Sequence, residues 1–132
     1  MRNGDYIVML ERPENIIVKK TEAFADRIVK MYKYLLKKKE SNVEMLKQVL
    51  RSGTSIGANT AEGQYAQTQA DFLTKMSIAL KEANETKYWL QRLNSGGFLK
   101  DHEYESIIKD NIEIINILVK ITGTTKGRLQ KS

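Results

Sequence analysis

From about residue 16 onward, apolar positions recur at helical spacing. Thr21, Phe24, Ile28, Met31 and Leu35 follow a 3-4-3-4 rhythm, the seam of a bundle helix, with Ala25, Val29, Tyr32 and Leu36 as a second row beside it. This predicts a first helix over 16–39. Lys19, Lys30, Lys33 and Lys37 fall roughly opposite that seam, so its outer face is basic. Ser41 with Glu44 fits a capping box for a second helix over 42–65, with Val43, Leu46, Val49, Leu50, Gly53, Ile56, Gly57 and Thr60 along its inner side. Thr68 with Asp71 caps a third helix, 69–94, whose seam is the cleanest in the chain: Phe72, Met76, Ala79, Ala83, Thr86, Leu90 and Leu93. Gly96 or Gly97 ends it. Asp101 is the expected N-cap of a fourth helix, 102–122, with Tyr104, Ile108, Asn111, Ile115, Leu118 and Thr122 on its seam. Further rows at Ile107, Ile114, Ile121 and at Ile112, Val119 widen its apolar face beyond the ~100° stripe of a surface helix. Such a helix is either deeply buried or covered by another subunit. Gly123 and Gly127 are expected to end it.

Residues 50–63, LRSGTSIGANTAEG, are the centre of the design. They have the composition of a loop, and a loop at 52–58 is the alternative reading. Yet Gly53, Gly57 and Ala61 recur every four residues, which puts small side chains in one helical stripe. Each interior glycine costs a helix about 1 kcal/mol against alanine, so close packing has to offset the loss. Folding the second and third helices back about Gln67 sets Gly53–Gly57 opposite Ser77–Lys81, where Ala79 is also small. It also brings Arg51 near Ala83, within reach of Glu82 or Glu85. Four amphipathic helices with short turns give an all-α, antiparallel up-down-up-down four-helix bundle over 16–126. An arm at 1–15 precedes it and a basic tail at 127–132 follows.

A chain of 132 residues fits one domain, and 41% aliphatic and aromatic content is too rich for disorder. The absence of cysteine excludes disulfides and thiolate metal sites. No apolar run approaches the ~18 residues of a membrane span, and the first residues lack a secretory core, so a cytoplasmic protein without membrane partners is expected. The net charge of +6 is unevenly spread. Residues 19–39 carry eight basic and two acidic groups, and 120–132 carry four basic and none acidic. Two basic blocks point to an anionic partner.

Signatures of catalysis are missing. The one histidine, His102, stands between Asp101 and Glu103 at a helix start, where a solvated role is the simple reading. Paired Glu-x-x-His motifs of di-metal bundles and the phosphate loop GxxxxGK[ST] do not occur. Glu62, Glu82 and Glu85 read as structural ion pairs, Asn59 as a partner of neighbouring polar groups, and Trp89 as packing against a helix or subunit, with base stacking on Tyr88 or Trp89 the alternative that no strand pattern frames. No catalytic residue, metal or cofactor is expected. The candidate contacts are Lys30, Lys33, Lys37, Lys38 and Lys39, joined by Lys126, Arg128 and Lys131. Against phosphates they would supply salt-sensitive affinity without base readout.

The motifs RSGTSIGANTAEG and LKEANETKYWL together resemble a family of four-helix bundle proteins, first described as products of intervening sequences in bacterial 23S ribosomal RNA genes. The likeness covers about 16–122. Ser52, Ser55, Ile56, Ala58, Asn59, Ala61, Glu62 and Gly63 match the first signature, which also holds Gly53 and Gly57. Lys81, Glu82, Ala83, Glu85, Thr86, Trp89 and Leu90 match the second. The resemblance implies a bacterial antiparallel bundle assembling into a homopentameric ring. It also implies kinship with accessory proteins of diversity-generating retroelements, which bind nucleic acid and a reverse transcriptase. It implies no catalytic site. The expectation is a non-enzymatic homo-oligomer binding RNA or DNA, RNA favoured, through its basic surface; the alternative is a scaffold for a protein partner.

Overall fold

The computed structural model describes residues 13–131. Among the described residues there are four α-helices and no strand: α1 Pro13–Leu36, α2 Val43–Gly63, α3 Gln69–Ser95 and α4 Asp101–Lys131. Most of the expected arm, 1–12, lies outside the described residues, as does Ser132.

α1 opens on Pro13 itself, earlier than expected, because the first helical position needs no N–H donor. It also stops earlier, at Leu36. The Lys37 and Lys38 amides donate to the Tyr34 and Leu35 carbonyls at 3.3 and 3.2 Å, the tightened pattern that closes a helix. Lys37, Lys38 and Lys39 therefore stand in the turn that follows.

α2 is capped by Asn42 rather than Ser41. The Asn42 Oδ1 accepts from the Met45 amide at 3.1 Å, which leaves Glu44 in the first turn, where its charge suits the helix dipole. The helix runs unbroken through 52–58. Three of its hydroxyls are absorbed by its own carbonyls: Thr54 donates to Leu50 at 2.7 Å, Ser55 to Arg51 at 2.6 Å and Thr60 to Ile56 at 2.8 Å.

The glycine stripe faces α1, not α3 as the hairpin reading expected. A Cβ on Gly53 would stand 2.9 Å from Ile28 Cγ1, and one on Gly57 would stand 3.2 Å from the Thr21 carbonyl oxygen. Spacing of four drifts around a helix of 3.6 residues per turn, so Ala61 has left the interface and is exposed. The glycine turned toward α3 is Gly63, where a Cβ would meet Met76.

α3 begins as expected, with Thr68 Oγ1 accepting from the Asp71 amide at 3.0 Å. Every residue of its seam is buried except Phe72, which is half-buried. Gly97 adopts φ 83°, the left-handed conformation that frees Phe98 to donate to the Leu93 carbonyl at 2.9 Å.

At the start of α4 the capping differs from expectation. Glu103 Oε1 accepts from the Lys100 amide at 3.0 Å, and Asp101 accepts instead from Asn94 Nδ2 at 2.8 Å. α4 then continues through Gly123 and Gly127 to Lys131, so the expected tail is helical. The buried row Leu118, Ile121, Thr122 and Thr125 carries the helical period past both glycines, and packing outweighs their low propensity.

The core joins all four helices: Ile17, Phe24, Ile28 and Leu35 of α1, Leu46, Val49 and Ile56 of α2, the α3 seam, and Ile107, Ile114, Leu118 and Ile121 of α4. α2 packs on α1 and α3, and α4 packs on α3 and, along a shorter front, on α1. Cross-helix pairs mark the registers. Ser52 meets Thr86 and Glu62 meets Lys75; Asn111 meets Ala83 and Asn94 meets Asp101; Arg27 meets Asp110 and Lys20 meets Glu113. On α4 the row Ile107, Ile114 and Ile121 is buried and the seam is buried except for the half-buried Tyr104 and Ile115, but Ile112 and Val119 are 40% and 53% exposed. Val43, expected inside, is also exposed.

Candidate nucleic-acid interface

Helix periodicity turns the basic residues of α1 outward because its apolar seam is committed to the core. Lys30 and Lys33 on α1, and Lys37 and Lys39 in the turn, are exposed. Lys38 is half-buried, its Nζ 4.8 Å from the centre of the Tyr34 ring. Beside these lysines a groove of about 430 Å³ opens between α1 and the start of α4. Met31, Leu99 and Ile107 give it an apolar floor, and Tyr34, Lys30 and His102 form its rim. Arg27, at one end, is already occupied: its guanidinium donates to Asp110 at 2.5 Å and to the Ser106 hydroxyl at 2.9 Å.

Lys126, Arg128 and Lys131 are exposed on the last turns of α4. The Arg27–Asp110 and Lys20–Glu113 pairs set the first turns of α4 beside Lys30 and Lys33 and its last turns past the start of α1. At about 1.5 Å per residue the two basic blocks stand roughly 40 Å apart. α4 therefore carries Lys126, Arg128 and Lys131 to the end of the chain's bundle opposite the α1 lysines, and the two blocks do not form one patch within a chain.

The residues of the two signature motifs build the α2–α3 and α1–α2 contacts. Ser52 is fully buried, its hydroxyl 2.9 Å from that of Thr86, which also donates to the Glu82 carbonyl at 2.8 Å. Arg51 bridges to Glu82 at 3.3 Å and to Glu85, the pairing expected. Burial alone would lower the Arg51 pKa, but the hydrogen bond to Glu85 and the charges of both carboxylates outweigh it, so the guanidinium is held above its ordinary value. Asn59 Nδ2 donates to the Ser55 carbonyl at 2.9 Å, and Glu62 pairs with Lys75 at 2.6 Å. Lys81 is exposed. Trp89 packs against the core with its ring edge-on to Tyr88 at 5.0 Å. Ser52, Arg51 and Glu62 tie α2 to Thr86, Glu82, Glu85 and Lys75 of α3, whereas Asn59 bonds within α2.

Tyr34 escaped the sequence reading, which singled out lysines by charge. A signal was there: Lys30, Tyr34 and Lys38 are spaced by four, which interleaves an aromatic ring with cations on one stripe. Among the described residues, no group of three or more His, Asp or Glu could hold a metal ion. No described helix is long and apolar enough to cross a membrane.

Four helices around one apolar core, with a basic outer face, define the class: an all-α protein held together by helix packing. The family model described as 23S rRNA-intervening sequence protein matches residues 13–120, and the chain belongs to that family. The resemblance carried by the two motifs therefore holds. The chain is also similar to a Bacteroides thetaiotaomicron protein of the S23 ribosomal protein family, of unknown function, whose crystal structure was determined at 1.70 Å resolution. The two are 47% identical with a TM-score of 0.81, over 85% of this chain and 99% of that one. No curated protein matches.

Proposed function

We propose that this protein is a non-enzymatic, nucleic-acid-binding homo-oligomer of the cytoplasm, with RNA the favoured ligand and the C-terminal end of α1 as its contact face. The observation that carries the reading is the cluster of Lys30, Lys33, Lys37, Lys38 and Lys39, which places five cations at one end of one helix. Lysines on a helix face bind the phosphate backbone through released counterions, independently of sequence. The descending order of the cross-helix pairs supports an antiparallel up-down-up-down bundle. Ile112 and Val119 support assembly: an apolar row exposed on α4 is buried when copies pack side by side. The family likeness suggests a homopentameric ring, in which several basic faces act on one polyanion and weak contacts gain avidity. In such a ring Lys126, Arg128 and Lys131 form a second contact band.

Fluorescence anisotropy of labelled RNA and DNA, at low and physiological salt, tests the reading. Binding that falls steeply with salt and is strongly weakened in the triple variant Lys30→Glu, Lys33→Glu, Lys37→Glu supports it. No binding at low salt overturns it and leaves the second reading, a protein-interaction scaffold. The Ile112–Val119 row favours that alternative equally, and it predicts a stable oligomer that carries no nucleic acid through purification.

A further inference from the structure

We propose that the groove between α1 and α4 is a subsite for an unpaired base of single-stranded RNA, with Tyr34 as its stacking platform. The proposal rests on the basic-face reading and deepens it: the face then tells single strands from duplexes. Tyr34 is 50% exposed although the α1 seam beside it is buried, so the core has no use for its ring. The ring already holds a cation, Lys38 Nζ at 4.8 Å. A base stacking there displaces an ammonium on a flexible stem and leaves it beside the incoming phosphate. Lys30 stands one turn before the ring, about 6 Å along α1, and Lys38 reaches the ring from the turn that follows the helix, so phosphates on both sides of the base meet a cation. The floor of Met31, Leu99 and Ile107 offers apolar contact, and a volume of about 430 Å³ is ample for one base.

Charge complementarity favours this ligand. Glu103, the acid in the groove, is engaged by the Lys100 amide, and Arg27 is neutralised by Asp110. Glu103 keeps its charge in that hydrogen bond, but it faces Lys30 on the rim, Lys38 over the ring and the exposed Lys33 beside Tyr34 in the chain, so cations outnumber the acid. A base in a duplex is stacked on both faces and cannot offer one to Tyr34, whereas an unpaired base can, with little dependence on its identity.

The test uses the full chain, anisotropy at low salt, a labelled short oligouridine and an RNA duplex of equal length. The expected result is tighter binding of the single strand, a loss of about tenfold in its affinity with Tyr34→Leu, and near-parent affinity with Tyr34→Phe, which keeps the ring. Duplex affinity and the salt slope stay at the parent's values in both variants. Independently of folding in any variant, irradiation of the parent with 5-bromouridine RNA is expected to give an adduct at Tyr34. Unchanged oligouridine affinity in Tyr34→Leu, an equal loss on the duplex, or no adduct at Tyr34 overturns the subsite while the basic-face reading stands. No salt-sensitive binding of either RNA by the parent overturns both.

Discussion

The backbone of Gly57 rests against the carbonyl of Thr21: a Cβ on the glycine would lie 3.2 Å from that oxygen, tighter than most side chains tolerate. The neighbour is main chain, which cannot swing aside. Gly57→Leu is therefore expected to force α1 and α2 apart at a cost of ~1–3 kcal/mol or more. A melting temperature equal to the parent's would show that this approach does not matter to stability.

Gly123 and Gly127 give the opposite result from the same residue type. A Cβ at either meets nothing within 4 Å, and neither has positive φ. Gly123→Ala and Gly127→Ala should each stabilise α4 by about 0.5–1 kcal/mol, through better helix propensity and a less flexible unfolded chain. Denaturant titration of the two variants reads this directly; a loss of stability would place these positions at a contact between copies.

Ser52 and Thr86 share a hydroxyl–hydroxyl bond that is fully buried between α2 and α3. Thr86→Val keeps the shape and strands the Ser52 hydroxyl, and Ser52→Ala removes the other partner. Thr86→Val is expected to cost about 1–2 kcal/mol, Ser52→Ala less because Thr86 still donates to the Glu82 carbonyl, and the double variant clearly less than their sum, since the stranded Ser52 hydroxyl is then gone. Additive losses would mean that the two hydroxyls do not interact.

These contacts show what the sequence could and could not express. The α3 seam was legible in full because one row, from Met76 to Leu93, meets the core without interruption. The Arg51 pairing with Glu82 and Glu85 followed from the hairpin register alone. The direction of the glycines did not: α2 is flanked by two helices, and a stripe of small residues says that something comes close without saying which neighbour. Cap positions slipped by a residue where two capping side chains stand together, as Ser41 and Asn42 do. The end of α4 was missed because Gly123 and Gly127 resemble stops, while the packing of Thr125 that overrides them is a tertiary effect. Tyr34 was hidden in a stretch read for charge.

Reversing charge should separate the two basic blocks functionally. The triple variant at Lys30, Lys33 and Lys37 is expected to flatten the dependence of log affinity on log salt by about 2 for single strands, the value for three lost phosphate contacts. The matching triple at Lys126, Arg128 and Lys131 should act additively with it, since the sites are too far apart to couple. Strong non-additivity in anisotropy titrations would argue that subunits bring the blocks together.

Val119→Asp puts a charge on the exposed apolar row of α4 without disturbing the core of the chain. For the proposed homo-oligomer packed through this row, the expected outcome is a smaller species by size-exclusion chromatography with light scattering, with helical circular dichroism retained. An unchanged oligomer would locate the subunit contact elsewhere.

The continuation of α4 to Lys131 has one further consequence. It turns a short peptide that could have swung toward either end into a rigid spacer, holding cations roughly 40 Å from the lysines of α1. At about 3.4 Å of strand per stacked nucleotide, that span corresponds to roughly twelve nucleotides. On the proposed nucleic-acid reading, a shorter oligonucleotide would touch one end of a protomer at a time and a longer one would engage both. Apparent affinity should therefore rise in a step with ligand length, at a threshold that the helix itself sets.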